Sequence, residues 1–324
     1  MKRFQCLLLA GLILTLPPRP VTGESFSGGS RSAGAFQPRT VELLRHDLAV
    51  ELTPGRHHVL ATDRVTLKAL VSDLNRISFS LNPALRVTRI EERSGAGRHP
   101  LPFTTETVQR DAAPATLAPE GKGRGAGTHS EPDQAIQMVT VSLRAPPARD
   151  QILTLEWTYE GTLNDPPREP RQLRFVTPSE TAGHIGSEGV YLSGETHWYP
   201  DHRGALPTAR IVVVMPEGWE AVTHGRQVSR SVRDGVTISE WQVSAKTEAL
   251  TLVANRFVKT AREWQEPSGR SIEVAAYLFP EDAHLSEEYV RASVRYLEFY
   301  TKLLGPYPFP KFAVVENFFA SGLG

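Results

Sequence analysis

The sequence predicts a mainly β protein: an antiparallel β-sandwich or saddle-shaped domain, followed by the first strand, helix and strand of an incomplete α/β unit. Three observations predict it. Short runs in which apolar and polar residues alternate recur from residue 46 to residue 254, separated by turn residues. No helical periodicity interrupts them, which argues against an α/β sheet in that region. Beyond Glu266-Pro267-Ser268-Gly269 the pattern changes to strand, helix, strand.

The strands follow in order. Leu48, Val50 and Leu52 alternate with Asp47, Ala49 and Glu51, and Val65, Leu67 and Ala69 repeat the pattern after the Pro54-Gly55 turn. Ile77, Phe79 and Leu81 form a third run and Leu85 and Val87 a fourth. Val139, Val141 and Leu143 form a fifth, and Leu153, Leu155, Trp157 and Tyr159 a sixth. Strands resume at residues 211–214, 236–238, 241–243 and 250–254, and the sheet continues to about Trp264. The β domain is thus expected to span residues 40–265. The second unit, residues 268–324, opens with a strand over 272–279 and the one convincing helix, about 281–304. Val290, Val294, Leu297 and Leu304 line one face of that helix beside Tyr289, Tyr296 and Tyr300, and Gly305-Pro306 stops it. A strand at 312–315 follows, and the sequence is read as breaking off before that strand acquires its neighbours.

Composition bounds the function. The chain has 324 residues, 40% hydrophobic and 22% charged, with 36 Lys plus Arg balancing 36 Asp plus Glu. Zero net charge argues against nucleic acid and against an anionic membrane surface as partners. Lys2 and Arg3, the apolar run 6–16 and the small residues Val21-Thr22-Gly23 read as a secretory signal over residues 1–23, with cleavage near Glu24. A secreted or periplasmic location is expected, without stable membrane insertion, because the apolar run falls short of the ~20 residues a spanning helix needs. The single cysteine, Cys6, lies within that signal, so the mature chain has no disulfide chemistry.

Residues 24–39 read as a flexible leader rich in Gly and Ser. Residues 104–134, with few large apolar side chains, read as a disordered insertion in a hairpin loop. The segment 165–181, rich in Pro and Arg, is expected to run over the surface. His57-His58 sits at a turn and is read as solvated.

Residues 189–202, Gly-Val-Tyr-Leu-Ser-Gly-Glu-Thr-His-Trp-Tyr-Pro-Asp-His, are the chemically densest stretch. Glu195, His197, Asp201 and His202 are all metal-ligand types. Their spacing fits no compact ligand template, and a polar loop crossed by buried aromatics is the better reading. No H-e-x-x-h pair of histidines at i and i+4 occurs anywhere in the sequence.

Four stretches carry a family resemblance. They are His46-Asp47-Leu48-Ala49-Val50-Glu51-Leu52, the segment 215–225 with Pro216-Glu217-Gly218-Trp219, the strands within 241–257, and residues 289–316 with Gly305-Pro306-Tyr307-Pro308-Phe309-Pro310-Lys311. Together they resemble the N-terminal portion of the aminopeptidase N-like zinc metallopeptidases, over roughly residues 40–324. The resemblance implies a β-saddle domain docked on a thermolysin-like catalytic domain that hydrolyses N-terminal residues from peptides. It implies zinc for a full-length parent and none in this chain, whose catalytic and metal-binding residues would lie further on.

The resemblance also implies a substrate-lining edge. Phe319-Ala320-Ser321-Gly322 matches the family's strand, whereas Leu323-Gly324 stands where Ala-Met precedes the family's amine-binding Glu. Ser321, Gly322, Leu323 and Gly324 are therefore the candidate substrate-binding residues, with Glu195 as the nearest counterpart of the side chain that the β domain offers to the substrate amine. The implied partners are a peptide substrate and the missing catalytic domain. The rival expectations are a secreted non-catalytic β-sandwich module that displays aromatics between Tyr191 and Tyr199 as a recognition face, and an inactive relative of the peptidases.

Overall fold

The computed structural model describes residues 6–8, 39–95, 97–109, 135–167 and 181–319. The architecture is the mainly antiparallel one the alternation predicts. A three-residue strand, β1 (Cys6–Leu8), stands apart at the N-terminus. Then β2 (Val41–Thr53) reverses through a 3-10 turn at Pro54–Arg56 into β3 (His58–Ala69), closed by His57 in the left-handed conformation at φ 54°. Next come β4 (Arg76–Leu81), β5 (Leu85–Ser94), β6 (Gly97–Pro100), β7 (Phe103–Gln109), β8 (Ala135–Ser142) and β9 (Ile152–Thr162). The chain continues with β10 (His184–Gly186), β11 (Gly189–Leu192), β12 (Thr208–Pro216), β13 (Glu220–Thr223), β14 (Arg226–Arg233), β15 (Val236–Val243) and β16 (Leu252–Asn255).

An eight-stranded sheet in the order β14-β15-β12-β2-β3-β9-β5-β6 forms the main layer, and all its neighbours are antiparallel except β2 and β12. A three-stranded sheet, β4-β8-β7, packs on it through Phe79 and Trp157, whose rings meet edge-on at 5.0 Å. A four-stranded sheet, β10-β11-β16-β13, adds a second layer. Trp157, Tyr159, Trp198, Tyr199 and Trp241 are all fully buried. Each such ring removes ~150–250 Å² from water, an upper-bound gain of roughly 4–6 kcal/mol at ~25 cal/mol per Å².

Inside this core lies a buried ionisable pair. His46 Nδ1 and Asp63 Oδ2 are 2.6 Å apart, and both side chains are inaccessible to solvent. Burial pushes the imidazole down, but the Asp63 carboxylate more than offsets this and the net shift is upward.

The second unit is built from β17 (Val258–Gln265), β18 (Ser271–Leu278), a 3-10 turn at Pro280–Leu285, α1 (Ser286–Leu304) and β19 (Lys311–Glu316). β18 and β19 are parallel neighbours joined through the helix, and the sheet order is β1-β19-β18-β17. Pairing gives each face of β18 and β19 its own core. Ala275, Tyr277, Ala313 and Val315 join the β-domain core, whereas Val274, Ala276, Leu278, Phe312 and Val314 pack with Val290 and Leu297 of the helix.

The structure departs from the sequence reading in several places. Residues 104–109, read as the start of an insertion, belong to β7, which pairs with β8 from Phe103 to Gln109. Its Thr-rich face is nearly all exposed, so hydrophobic patterning had nothing to register. Residues 110–134 of that insertion lie outside the described residues, as do 168–180. Val258–Gln265, read as the last strand of the β domain, pairs instead with β18 and opens the second unit's sheet. The helix begins at Ser286 because Pro280 and the residues after it take up a 3-10 turn. Leu304, expected on its buried face, is 58% exposed.

Of the stretch read as a secretory signal, only Cys6–Leu8 is among the described residues, where it lies antiparallel to β19. The leader is described only at Arg39.

Candidate functional site

The sequence-derived substrate edge begins where β19 ends. Ser321, Gly322, Leu323 and Gly324 lie outside the described residues, and Phe318 and Phe319 are the last side chains before them. These two rings are half-buried against the β-domain core. Phe319 meets Tyr191 edge-on at 4.9 Å, and Phe318 lies 5.8 Å from the His184 ring and 5.2 Å from Phe319.

The small sheet supplies the seat for Phe318. β10 and β11 form a tight hairpin in which Gly186 pairs with Gly189. A methyl group on Gly189 would fall 2.1 Å from Phe318 Cδ1 and 2.9 Å from Asn255 Nδ2, so the ring occupies space that only glycine leaves open. The hairpin is pinned twice. The Asn255 side-chain amide donates to the Glu188 carbonyl at 2.6 Å, and the Glu188 carboxylate contacts His184 Nε2 at 2.8 Å. His57, read as solvated, is partly buried here: its Nδ1 lies 2.7 Å from the Ile185 carbonyl and its ring 5.9 Å from that of His184.

The strand itself is anchored at both ends. At its start, Lys311 is buried and its Nζ donates to the Thr223 carbonyl at 2.5 Å. At its end, the Glu316 carboxylate accepts the Phe279 N–H at 2.7 Å. Burial pushes the Glu316 carboxyl up to about 7, and the neighbouring Asp282 and Glu281 add to it.

Glu195 sits in a 3-10 turn, Gly194–Thr196, and is exposed. The structure brings it to the same neighbourhood as the end of the described chain, through Tyr191. Burial raises the Tyr191 phenol above its ordinary value and the Glu195 carboxylate raises it further, while the same ring packs on Phe319. The cavity beside Glu195, lined by Asn82, Thr196 and His197 among others, has a volume of ≈ 10 Å³, too small for a substrate residue.

The remaining ligand-type residues of this loop are committed elsewhere. His202 Nδ1 contacts the Ser78 carbonyl at 3.0 Å, and Asp201 Oδ1 accepts the His202 N–H at 2.7 Å. Among the described residues no group of three His, Cys, Asp or Glu converges on one point. Residues 189–202 also include a strand, β11, and their aromatics are buried: Tyr191 is 3% exposed, Trp198 1% and Tyr199 2%. The recognition face of the rival module reading therefore does not exist. These rings are held from inside, since Trp198 Nε1 donates to the Leu250 carbonyl at 2.9 Å and Tyr199 Oη accepts the Leu250 N–H at 3.0 Å.

The chain's fold is shared with solved zinc peptidases. It is similar to the M1 zinc metallopeptidase from Deinococcus radiodurans, with a TM-score of 0.58 and 17% identity, over 85% of this chain and 56% of that one. A mutant M1 zinc metallopeptidase from the same organism, bound to a Tyr-Ser-Ala substrate, gives a TM-score of 0.58 and 16% identity over the same shares. Legionella pneumophila aminopeptidase A, in complex with aspartic acid, gives a TM-score of 0.59 and 10% identity over 87% of this chain and 29% of that one. The chain thus spans little more than half the length of the first of these relatives. No family model matches the sequence, and no curated protein matches it.

Proposed function

We propose that this chain is the substrate-recognition portion of a secreted zinc aminopeptidase of the M1 type: its N-terminal β domain plus the opening of its catalytic domain. The observation that carries the proposal is the extent of the fold likeness. It covers 85% of the chain, too much for the β domain alone, and so takes in part of the strand–helix–strand unit as well. A second observation supports continuation of that unit. Tyr296, Phe299, Tyr300, Leu303 and Leu304 of α1 are 50–67% exposed, a run of large apolar side chains on one helix end that further polypeptide would cover.

Zinc is the cofactor this reading implies, and the described residues do not fit it. Glu195 is exposed on a turn, and Asp201 Oδ1 and His202 Nδ1 are engaged with backbone groups. In such peptidases the metal polarises the scissile carbonyl and activates water, and we assign its ligands, with the general base, to polypeptide beyond residue 324. What this chain contributes is position. An extended peptide would add alongside residues 321–324 as a further strand, its main chain held by backbone hydrogen bonds. Glu195, close to Tyr191, would receive the peptide's free amine.

The test is an extended polypeptide compared with residues 1–324. The extended form should bind one zinc and release N-terminal residues from peptides, and the 324-residue chain should do neither. Stoichiometric zinc with turnover in the shorter chain would refute the assignment. Secretion is tested separately, by N-terminal sequencing of exported protein, with Glu24 expected as the first residue.

A further inference from the structure

β19 is enclosed on both faces and along one edge. Ala313 and Val315 pack into the β-domain core, Phe312 and Val314 pack toward α1, and residues 311–315 pair with β18. The outer edge is the side that remains. There β1 lies antiparallel, with Cys6 opposite Glu316, Leu7 opposite Val315 and Leu8 opposite Val314. A strand covered on both faces cannot turn its spare N–H and C=O groups freely to bulk water, so an unpaired outer edge is costly. We propose that this edge is a strand-acceptor slot, filled by the chain's own N-terminal segment through residues 6–8 and opened when residues 1–23 are removed.

Composition, register and charge favour this occupant. The N-terminal segment is uncharged from Cys6 to Leu16, as suits a strand laid along an edge between two apolar layers. Its pairing falls on the last part of β19, beside the point where the substrate edge begins, and residues 311–313 have no second partner strand among the described residues. The direction also fits. The end of β1 that meets Glu316 is the end preceded in sequence by Lys2 and Arg3, and Glu316 stands beside Asp282 and Glu281. Basic sequence therefore leads into the acidic end of the slot, whereas a parallel arrangement would turn the same cations toward Lys311.

The consequence is a change of state on cleavage. Open strand edges recruit further strands. While the N-terminal segment is attached this edge is already paired, and once the segment is gone the slot is free to take another extended, uncharged segment. The pairing is independent of the peptidase reading; only its release rests on cleavage near Glu24.

Hydrogen exchange followed by NMR compares the 324-residue chain with its Leu7→Pro, Leu8→Pro double variant. Successive N–H groups of a strand point to opposite sides, so one of the two prolines removes a group that faces β19. The amides of Val314, Val315 and Glu316 that face away from β18 should exchange at least about tenfold faster in the variant, while those of β3 keep their rates. Residues 24–324, the expected cleavage product, should exchange as fast as the variant, and the variant decides alone should this shorter chain fail to fold. Protection retained in either overturns the proposal. Where the shorter chain keeps protection that is lost on dilution, a second copy is the occupant instead. Cleavage itself is read from the N-terminus of exported protein, so its failure would remove the opening step and leave the pairing result standing.

Discussion

The two faces of the β18–β19 pair are buried by different means. Toward the β domain, Ala275, Tyr277, Ala313 and Val315 share their face with buried Lys311 and half-buried Glu273, close to buried Glu220 of β13. Toward α1, Val274, Ala276, Leu278, Phe312 and Val314 meet Val290 and Leu297 in a mostly apolar layer, with Ser286 and Ser293 of the helix also buried. Yet the polar interface is closed, and the apolar one is covered only over the first part of the helix, whose last turns carry Leu303 at 67% and Phe299 at 61% exposure. Apolar contact is non-directional and can be left unfinished. Buried polar groups tolerate no such freedom, because each needs a partner at fixed geometry. The polar side, through Lys311 and the Thr223 carbonyl, therefore constrains how the units dock, while the apolar side leaves the last turns of α1 exposed.

The sharpest way to break this comparison is to remove a polar partner in the β domain. Asp63→Ala leaves His46 enclosed with no counter-charge. It should cost about 3–5 kcal/mol, the range for stranding half of a buried pair. Leu297→Ala, on the dry side, should cost nearer 2–3 kcal/mol, the lower part of the range for buried Leu, because the half-covered helix can settle into the space. Urea denaturation of both variants tests the order, and a larger loss from Leu297→Ala would reverse the argument.

The seat of the substrate edge is tested by Gly189→Ala. Its methyl group would collide with Phe318 and with Asn255, so the ring must leave. Overpacking of this kind costs typically about 1–3 kcal/mol. The expected signature is local: the Tyr191–Phe319 contact weakens, readable as loss of the ring-current shift on Tyr191, while Trp157 and its neighbours keep theirs.

A smaller effect tests the anchor at the end of β19 by pH. The Glu316 carboxyl is raised from 4.5 to about 7, so its contribution is present below 4.5 and lost as pH rises through about 7. Glu316→Gln keeps an acceptor for the Phe279 N–H and removes the titration. Relative to the parent it should gain stability as pH rises from 4.5 to 8. Equal unfolding free energies of parent and variant at both pH values would show that Glu316 does not titrate in this window.

How far these arrangements could be read from sequence depends on where the signal lies. Alternation found β2, β3, β4 and β9 because one face of each is apolar and the other is not, whereas β12 shows as a continuous apolar run. β7 and β14 were invisible to it. Arg226–Arg233 and Phe103–Gln109 are exposed strands whose pairing is carried by backbone groups that leave no trace in side-chain pattern. Assignment of β17 failed for another reason: alternation reports that a strand exists, never which sheet it joins. The Lys311 environment was equally hidden, since Thr223, Trp241 and Glu273 are far from it in sequence and meet only through sheet packing. The substrate edge was reached from a motif, and its seat at Gly189 from the structure alone.

The mildest prediction tests the unfinished face itself. Phe299→Ser with Leu303→Ser alters side chains that are 61% and 67% exposed, so within this chain the change in unfolding free energy should be within about 0.5 kcal/mol. Solution behaviour should respond far more. A helix end bearing five large apolar side chains invites self-association, and the double variant should sediment as a monomer at concentrations where the parent associates. In an extended polypeptide the same two substitutions should become costly, by about 2 kcal/mol or more, because both side chains would then lie in a core. Identical small effects in both lengths would mean that nothing covers this face, and the apolar turns of α1 would need another occupant.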